Sequence, residues 1–180
     1  IAVDVNDKDG RFVSSADNNI RFTLTGNGTI VPTLLPNKVQ DSSGNNNFAS
    51  TSTDNSITYD SIAPTVSINQ GSNQVVGSCS FTAPNDPSNT DGFNFKVTFS
   101  ESINTSTFTT SDITNVGTGG STGIVWVLTN CGDNKNFKLT ANSILGDGTI
   151  IPQISGSKVQ DLAGNYNLAS TSTDNSVTYD

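Results

Sequence analysis

The feature that most constrains this sequence is an internal repeat. Residues 26–60 and 146–180 align without a gap at an offset of about 120 positions, and about two-thirds of the aligned residues are identical. A period of that length matches one ordinary domain. We therefore expect residues 61–180 to form one complete repeat, and residues 1–60 to be the C-terminal half of the repeat before it.

Composition predicts that each repeat is all-β. The chain is 32% hydrophobic and only 13% charged, it has nine Phe, and good helix formers are scarce. In residues 93–99, Phe93, Phe95, Val97 and Phe99 alternate with polar residues, which predicts a strand with one buried face. The complete repeat is predicted to hold seven strands, at 65–69, 93–99, 112–116, 124–128, 137–140, 149–154 and 176–180. Seven short strands separated by turns predict a Greek-key β-sandwich.

The half repeat holds too few strands for a sandwich. A strand remnant is predicted at 1–5 and strands at 20–24, 29–35 and 56–60, with a long polar loop at 36–54. A sandwich without its first three strands leaves an apolar face uncovered and edges unpaired. Two alternatives stay open: preceding residues complete it, or strands from another copy do, and head-to-tail donation would then build a filament.

Charge and residue content exclude several functional classes. The net charge is −8, which disfavours nucleic acid and anionic membranes and suits a divalent cation or solubility. No apolar run is long enough for a transmembrane helix. Histidine is absent, and the glycine-rich stretch 117–123 lacks the lysine and following helix of a phosphate loop. We expect no enzymatic activity.

The two cysteines, Cys79 and Cys131, lie in the same repeat. In a secreted protein, such a pair is typical of a disulfide. The alternative is a pair of buried or free thiols. Because the half repeat has no cysteine, a bridge would belong to one repeat only.

Four segments together resemble a known family. APTVSINQ, DPSNTDGFNFKVTFSE, FTTSDI and DLAGN with STSTDNSVTYD resemble the bacterial Ig-like repeats of very large surface and secreted proteins. The resemblance implies an immunoglobulin-like sandwich in tandem, serving as a stalk, fibre or adhesin extender with Ca²⁺ bound near the junctions. Residues 74–83 depart from the family pattern as an insertion, and this insertion carries Cys79.

Residues 61–64 are predicted to be a short linker between the repeats, and the predicted topology places a set of oxygen-bearing side chains near it. If the first strand leaves the linker end, the loops that return there carry Glu101, Asp161 and Asn165, and Asp60 precedes the linker. Ca²⁺ takes six to eight oxygen ligands of these types. The competing interpretation is structural: Glu101 accepts hydrogen bonds from loop backbone, and Asp161 and Asn165 form Asx-turns. Asp86 and Asp91, at the opposite pole, are a weaker second cation site.

Two functional classes remain. The first is a structural repeat of an extracellular surface protein, whose partners are neighbouring repeats and, in a filament, other copies of itself. The second is a carbohydrate- or protein-binding module that uses Trp126 or Tyr166. We predict that Trp126 lies on the opposite face from Ile124 and Leu128, where it stacks on a sugar, a neighbouring subunit or lysine stems. The alternative is a core role for Trp126.

Overall fold

The computed structural model describes residues 26–119 and 123–180. The chain divides into two units, Ile1–Asp60 and Ser61–Asp180. In the first unit, β1 (Gly28–Ile30) pairs antiparallel with β2 (Ile57–Tyr59). β1 is shorter than the strand predicted at 29–35. The strand remnant predicted at 1–5 and the strand predicted at 20–24 lie outside the described residues. The described part of the chain contains no helix with the length and hydropathy needed to cross a membrane.

The second unit is built of short strands. In chain order they are β3 (Val66–Gln70), β4 (Gln74–Val76), β5 (Cys79–Phe81), β6 (Asn94–Phe99), β7 (Ile113–Asn115), β8 (Val125–Asn130), β9 (Asn136–Asn142), β10 (Gly148–Ile150), β11 (Pro152–Ile154) and β12 (Val177–Tyr179). Two single 3-10 turns, Thr105–Thr107 and Thr110–Asp112, precede β7. The prediction of an all-β chain is confirmed for the described residues.

The strands form several antiparallel sheets, an arrangement consistent with a β-sandwich. The largest sheet has the order β3–β6–β9–β8, and the pairs β10–β12 and β11–β7 form smaller sheets. One face of β6 is fully buried, as its alternating pattern predicts, and Phe99 meets Phe108 and Phe137 edge to face, with ring centroids 5.3 and 6.0 Å apart. Edge-to-face packing of this kind stabilises a core beyond simple area burial.

Two parts of the second unit differ from the predicted strands. The single strand predicted at 149–154 is two strands, because the chain changes partner at Ile151: β10 pairs with β12, and β11 pairs with β7. The proline at 152 carries no N–H for a continuous ladder, and the N–H of Ile151 donates to the Asn115 side chain instead, at 2.8 Å. The segment that departs from the family pattern, residues 74–83, contains the β4–β5 hairpin, which was not predicted.

The repeated sequence forms the same strand pair in both units. Ile30 faces Ile57 in the first unit, and Ile150 faces Val177 in the second, at the same register. Their surroundings differ: Val177 is 0% exposed in the core of the second unit, whereas Ile57 is 69% exposed. The local sequence therefore sets the pairing, but it does not by itself cover the apolar face.

Candidate functional site

Asp161 opens a tight loop between two short bridged segments. Residue 160 bridges residue 166, and within the loop Asp161 Oδ1 accepts hydrogen bonds from the backbone N–H groups of Ala163 and Asn165, both at 2.8 Å. Asp161 Oδ2 accepts from Asn165 Nδ2 at 2.8 Å. Gly164 has φ +93°, a left-handed conformation that suits glycine at this turn. Asp161 and Asn165 thus hold their own loop in shape.

These hydrogen bonds set the ionisation of Asp161. Asp161 is only 2% exposed, and burial by itself raises the pKa of its carboxyl group. The hydrogen bonds from the Asn165 side chain and from the backbone of Asn165, Ala163 and Gly164 outweigh it, and the pKa lies below the ordinary value of 3.8. Asp161 is therefore ionised at neutral pH, as a cation ligand or a loop anchor requires.

The first unit repeats this loop. Asp41 Oδ1 accepts from the backbone N–H groups of Ser43 and Asn45 at 2.9 Å each, and Asp41 Oδ2 accepts from Asn45 Nδ2 at 3.0 Å. Hydrogen bonds from the Asn45 side chain and backbone lower the pKa of Asp41. Because the same bonds occur at both copies, the loop conformation follows from the local sequence D-x-x-G-N.

A second polar anchor, Asn167, was not predicted. It is 2% exposed; its Oδ1 accepts from the N–H groups of Lys158 and Val159 at 2.9 and 2.7 Å, and its Nδ2 donates to two backbone carbonyls. Asn47 makes the equivalent bonds in the first unit. The signal was present in the sequence, since this asparagine is identical in both copies.

Glu101 lies beside Asp161 in the second unit. It follows β6 and is half-buried rather than fully inward, and one of its carboxylate oxygens lies within 4.8 Å of one of Asp161. Two carboxylates at this separation repel each other unless a cation or a proton lies between them. The predicted pairing of these two side chains gives two ligand oxygens of a candidate cation site.

Asp60 is the last residue of the first unit and accepts a hydrogen bond from the side-chain amide of Asn27. Its part in a cation site stays a prediction.

The weaker second site, Asp86 and Asp91, has other partners. Asp86 Oδ1 accepts from the N–H of Thr178 at 2.9 Å, and Asp91 Oδ1 accepts from the N–H of Ile144 at 3.3 Å. Burial, and then the charge and hydrogen bonding of Asp91, raise the pKa of Tyr179. In the described part of the second unit, no third acidic residue joins Asp86 and Asp91 in a compact cluster. Both aspartates connect the loop before β6 to the end of the unit.

Cys79 and Cys131 form the predicted disulfide, with Cα atoms 5.0 Å apart and a sequence separation of 52. Together with Phe81 they form a small apolar cluster separate from the main core, against which Val76 packs. The bridge thus fixes the β4–β5 hairpin to the turn between β8 and β9. A disulfide indicates an oxidising, non-cytoplasmic compartment.

The predicted orientation of Trp126 is wrong. Residues two apart on a strand share a face, so Ile124, Trp126 and Leu128 point the same way, and all three pack against the main core. The Trp126 ring meets Phe95 edge to face at 6.2 Å between centroids. Tyr166, by contrast, is 52% exposed on the loop that follows Asp161.

No model of a protein family, no curated protein and no solved structure matches this chain.

Proposed function

We propose that this chain is a structural repeat module of an extracellular surface protein, a stalk, fibre or adhesin extender built from Ig-like Greek-key sandwiches in tandem. The observation that carries the proposal is how the first and last segments of the second unit are joined. The N–H of Thr171 donates to the carbonyl of Val66 at 2.9 Å, and the N–H of Ile68 donates to the carbonyl of Thr171 at 3.0 Å. Residues 67 and 171 form a parallel bridge.

Parallel pairing of the two terminal segments has a mechanical consequence. β3 follows the start of the unit, and the segment from Thr171 leads into β12 and the end of the unit at Asp180. Because the two segments run side by side in the same direction, the chain enters this unit at one end and leaves at the other. Tension along the chain therefore loads their hydrogen bonds in shear, so that they must break together. A second parallel bridge, between residues 88 and 179, lies near the exit.

The segment after the linker is also fixed to the second unit. The carbonyl of Pro64 accepts from the N–H of Leu168 at 3.0 Å, and the N–H of Thr65 donates to Ser100 Oγ at 3.0 Å. Pro64 itself is buried and has a restricted φ. A short linker whose last residue is hydrogen-bonded to the second unit suits a stalk, in which successive repeats must not rotate freely.

Calcium is part of the proposal. Glu101 and Asp161 supply two carboxylates within 4.8 Å, and Asp161 Oδ2 accepts only one hydrogen bond among those described, which leaves it able to coordinate a cation. Asp60, which directly precedes the second unit in sequence, and Asn165 are the other ligands proposed. Bound Ca²⁺ would neutralise these carboxylates and stiffen the linker end of the unit.

The alternative function is a carbohydrate- or protein-binding module, and only one of the two aromatic residues predicted to contact its ligand is exposed. Trp126 packs on the core and contributes to folding, while Tyr166 is accessible for stacking. A single exposed tyrosine on a loop favours this function less than the parallel terminal pairing favours the structural one.

Pulling the full chain by its ends, in an optical trap, tests the structural function. Thr171→Pro removes the N–H that donates to Val66 and should lower the unfolding force of the second unit well beyond its effect on thermal stability. Thr51→Pro is the matched control at the equivalent position of the first unit. If Thr171→Pro lowers the unfolding force no more than Thr51→Pro does, the terminal pairing carries no load and the structural proposal loses its basis.

A further inference from the structure

A cleft of about 440 Å³ lies beside β6 and β9, away from Glu101 and Asp161. Its wall is the loop between β5 and β6, including Thr82, Ser88 and Thr90, and it also includes Asn94 of β6 and Lys138 of β9. The volume is in the range of small-molecule sites. Hydroxyl and amide side chains are the most frequent polar groups in this wall.

No described residue pairs with the charge of Lys138. It faces Lys96 directly across the β6–β9 pair, and both side chains lie on the face opposite to the core. Among the described residues, neither ammonium group makes an ion pair or a hydrogen bond. Like charges directly opposite each other destabilise a sheet. In a chain of net charge −8, this pair is a local positive site beside the cleft.

The one carboxylate in the cleft wall does not neutralise Lys138. Asp91 accepts from the N–H of Ile144 at 3.3 Å and interacts with Tyr179, the residue whose pKa it raises.

Asn94 offers a second donor. It is only 4% exposed, and its Oδ1 accepts from the N–H of Thr82 at 3.4 Å. Gly71 packs so tightly on this oxygen that a Cβ at Gly71 would lie 2.2 Å from it, so the carboxamide is held in one orientation. Within the described part of the chain, Asn94 Nδ2 donates no hydrogen bond. No buried side-chain nitrogen or oxygen among the described residues lacks a hydrogen-bond partner, so Nδ2 is the part of Asn94 that reaches the surface of the cleft, where it can donate to a ligand.

We propose that this cleft binds a carboxylate-bearing sugar, a hexuronate unit of an acidic polysaccharide. The carboxylate pairs with the Lys138 ammonium, with Lys96 adding long-range attraction, and Asn94 Nδ2 donates to a ring or hydroxyl oxygen. The exposed side chains of Thr82, Asn85 and Thr90 exchange hydrogen bonds with sugar hydroxyls, whereas the hydroxyl of the buried Ser88 is already bonded to the backbone of Thr90. A sugar fits better than an acidic peptide, because the wall offers several uncharged polar groups around only one unpaired cation.

The test is a titration of the ¹⁵N-labelled full chain with tetragalacturonate, followed by amide chemical shifts. We expect changes confined to residues 82–94 and the neighbourhood of Lys138, about tenfold weaker binding for Lys138→Gln, and unchanged binding for Lys158→Gln, an exposed lysine elsewhere in the unit. Binding should weaken as salt rises, because the key contact is ionic.

Two control ligands are titrated in the same way: maltotetraose, a neutral oligosaccharide, and tetraglutamate, an acidic peptide. Neither should reproduce the shifts of tetragalacturonate. Equal binding of maltotetraose would overturn the carboxylate requirement, and equal binding of tetraglutamate would overturn the assignment to a sugar. Absence of shifts at millimolar tetragalacturonate, or equal weakening by Lys138→Gln and Lys158→Gln, would overturn the site itself.

Discussion

Val177→Ala and Ile57→Ala compare the same repeat position where it is buried and where it is exposed. Val177 is 0% exposed and lies in the main core, whereas Ile57 is 69% exposed. Val177→Ala removes two buried carbons, worth about 0.8 kcal/mol each, and leaves a cavity that adds about 1 kcal/mol more. We therefore expect the second unit to lose about 2–3 kcal/mol of unfolding free energy. Ile57→Ala removes more carbon but should cost less than about 1 kcal/mol, because most of that surface is already in water.

Urea unfolding of the full chain measures both variants. Trp126 is the sole tryptophan and packs against the core of the second unit, so its fluorescence reports on that unit, while far-UV circular dichroism reports on the whole chain. With an m-value of about 2 kcal/mol/M, Val177→Ala should lower the midpoint of the fluorescence transition by about 1 M. Ile57→Ala should shift neither signal measurably. If both variants shift the dichroism transition equally, or Val177→Ala shifts nothing, the assigned burial is wrong.

Three further predictions concern the bridge, the cation and pH. Replacing Cys79 and Cys131 together by Ser should cost about 4 kcal/mol by loop-closure entropy for 52 residues, read from denaturation midpoints; a loss below about 1 kcal/mol would contradict a stabilising bridge. Millimolar Ca²⁺ should raise the melting temperature over chelator, since a hundredfold excess over Kd adds about 2.7 kcal/mol. Glu101→Gln should abolish this rise and Asp174→Asn should not; identical melting in Ca²⁺ and chelator would refute the site. Because the folded-state pKa of Asp161 is lowered, its contribution to stability is complete above the ordinary value of 3.8 and is lost as pH falls through the lower folded value. Asp161→Asn should therefore flatten the acid limb of a pH–stability curve, and an unchanged acid limb would contradict the assigned hydrogen bonds.

The elements that were predicted correctly from the sequence are those whose local residue pattern agrees with their surroundings in the fold. The alternation of Phe93, Phe95, Val97 and Phe99 specified β6 because one face of that strand is buried against the core. The Asx-turn interpretation of Asp161 and Asn165 rested on side-chain chemistry within five residues, and the observed hydrogen bonds have that form. Pairing of the two cysteines followed from their number and location in one repeat.

The features that were missed depend on partners distant in sequence. Pro152 marks the place of the break between β10 and β11, but the partners that residues 151–154 take instead, Asn115 and β7, are distant in sequence. The β4–β5 hairpin is fixed by Cys131, more than fifty positions later. The orientation of Trp126 was predicted wrongly for a different reason. Residues two apart on a strand share a face, so the sequence alone places Trp126 on the same face as Ile124 and Leu128, and the prediction put them on opposite faces.

The most direct test of the structural account is the contour length released when the full chain is pulled by its ends. The second unit has about 120 residues, and at about 3.5 Å per extended residue its unfolding would release about 420 Å. With the disulfide intact, 52 of these residues stay locked, so one step of about 240 Å should appear, before subtraction of the length of the folded unit. Reduction should lengthen that step by about 180 Å. A series of smaller steps, or a step that reduction leaves unchanged, would contradict a single load-bearing unit spanning Ser61–Asp180.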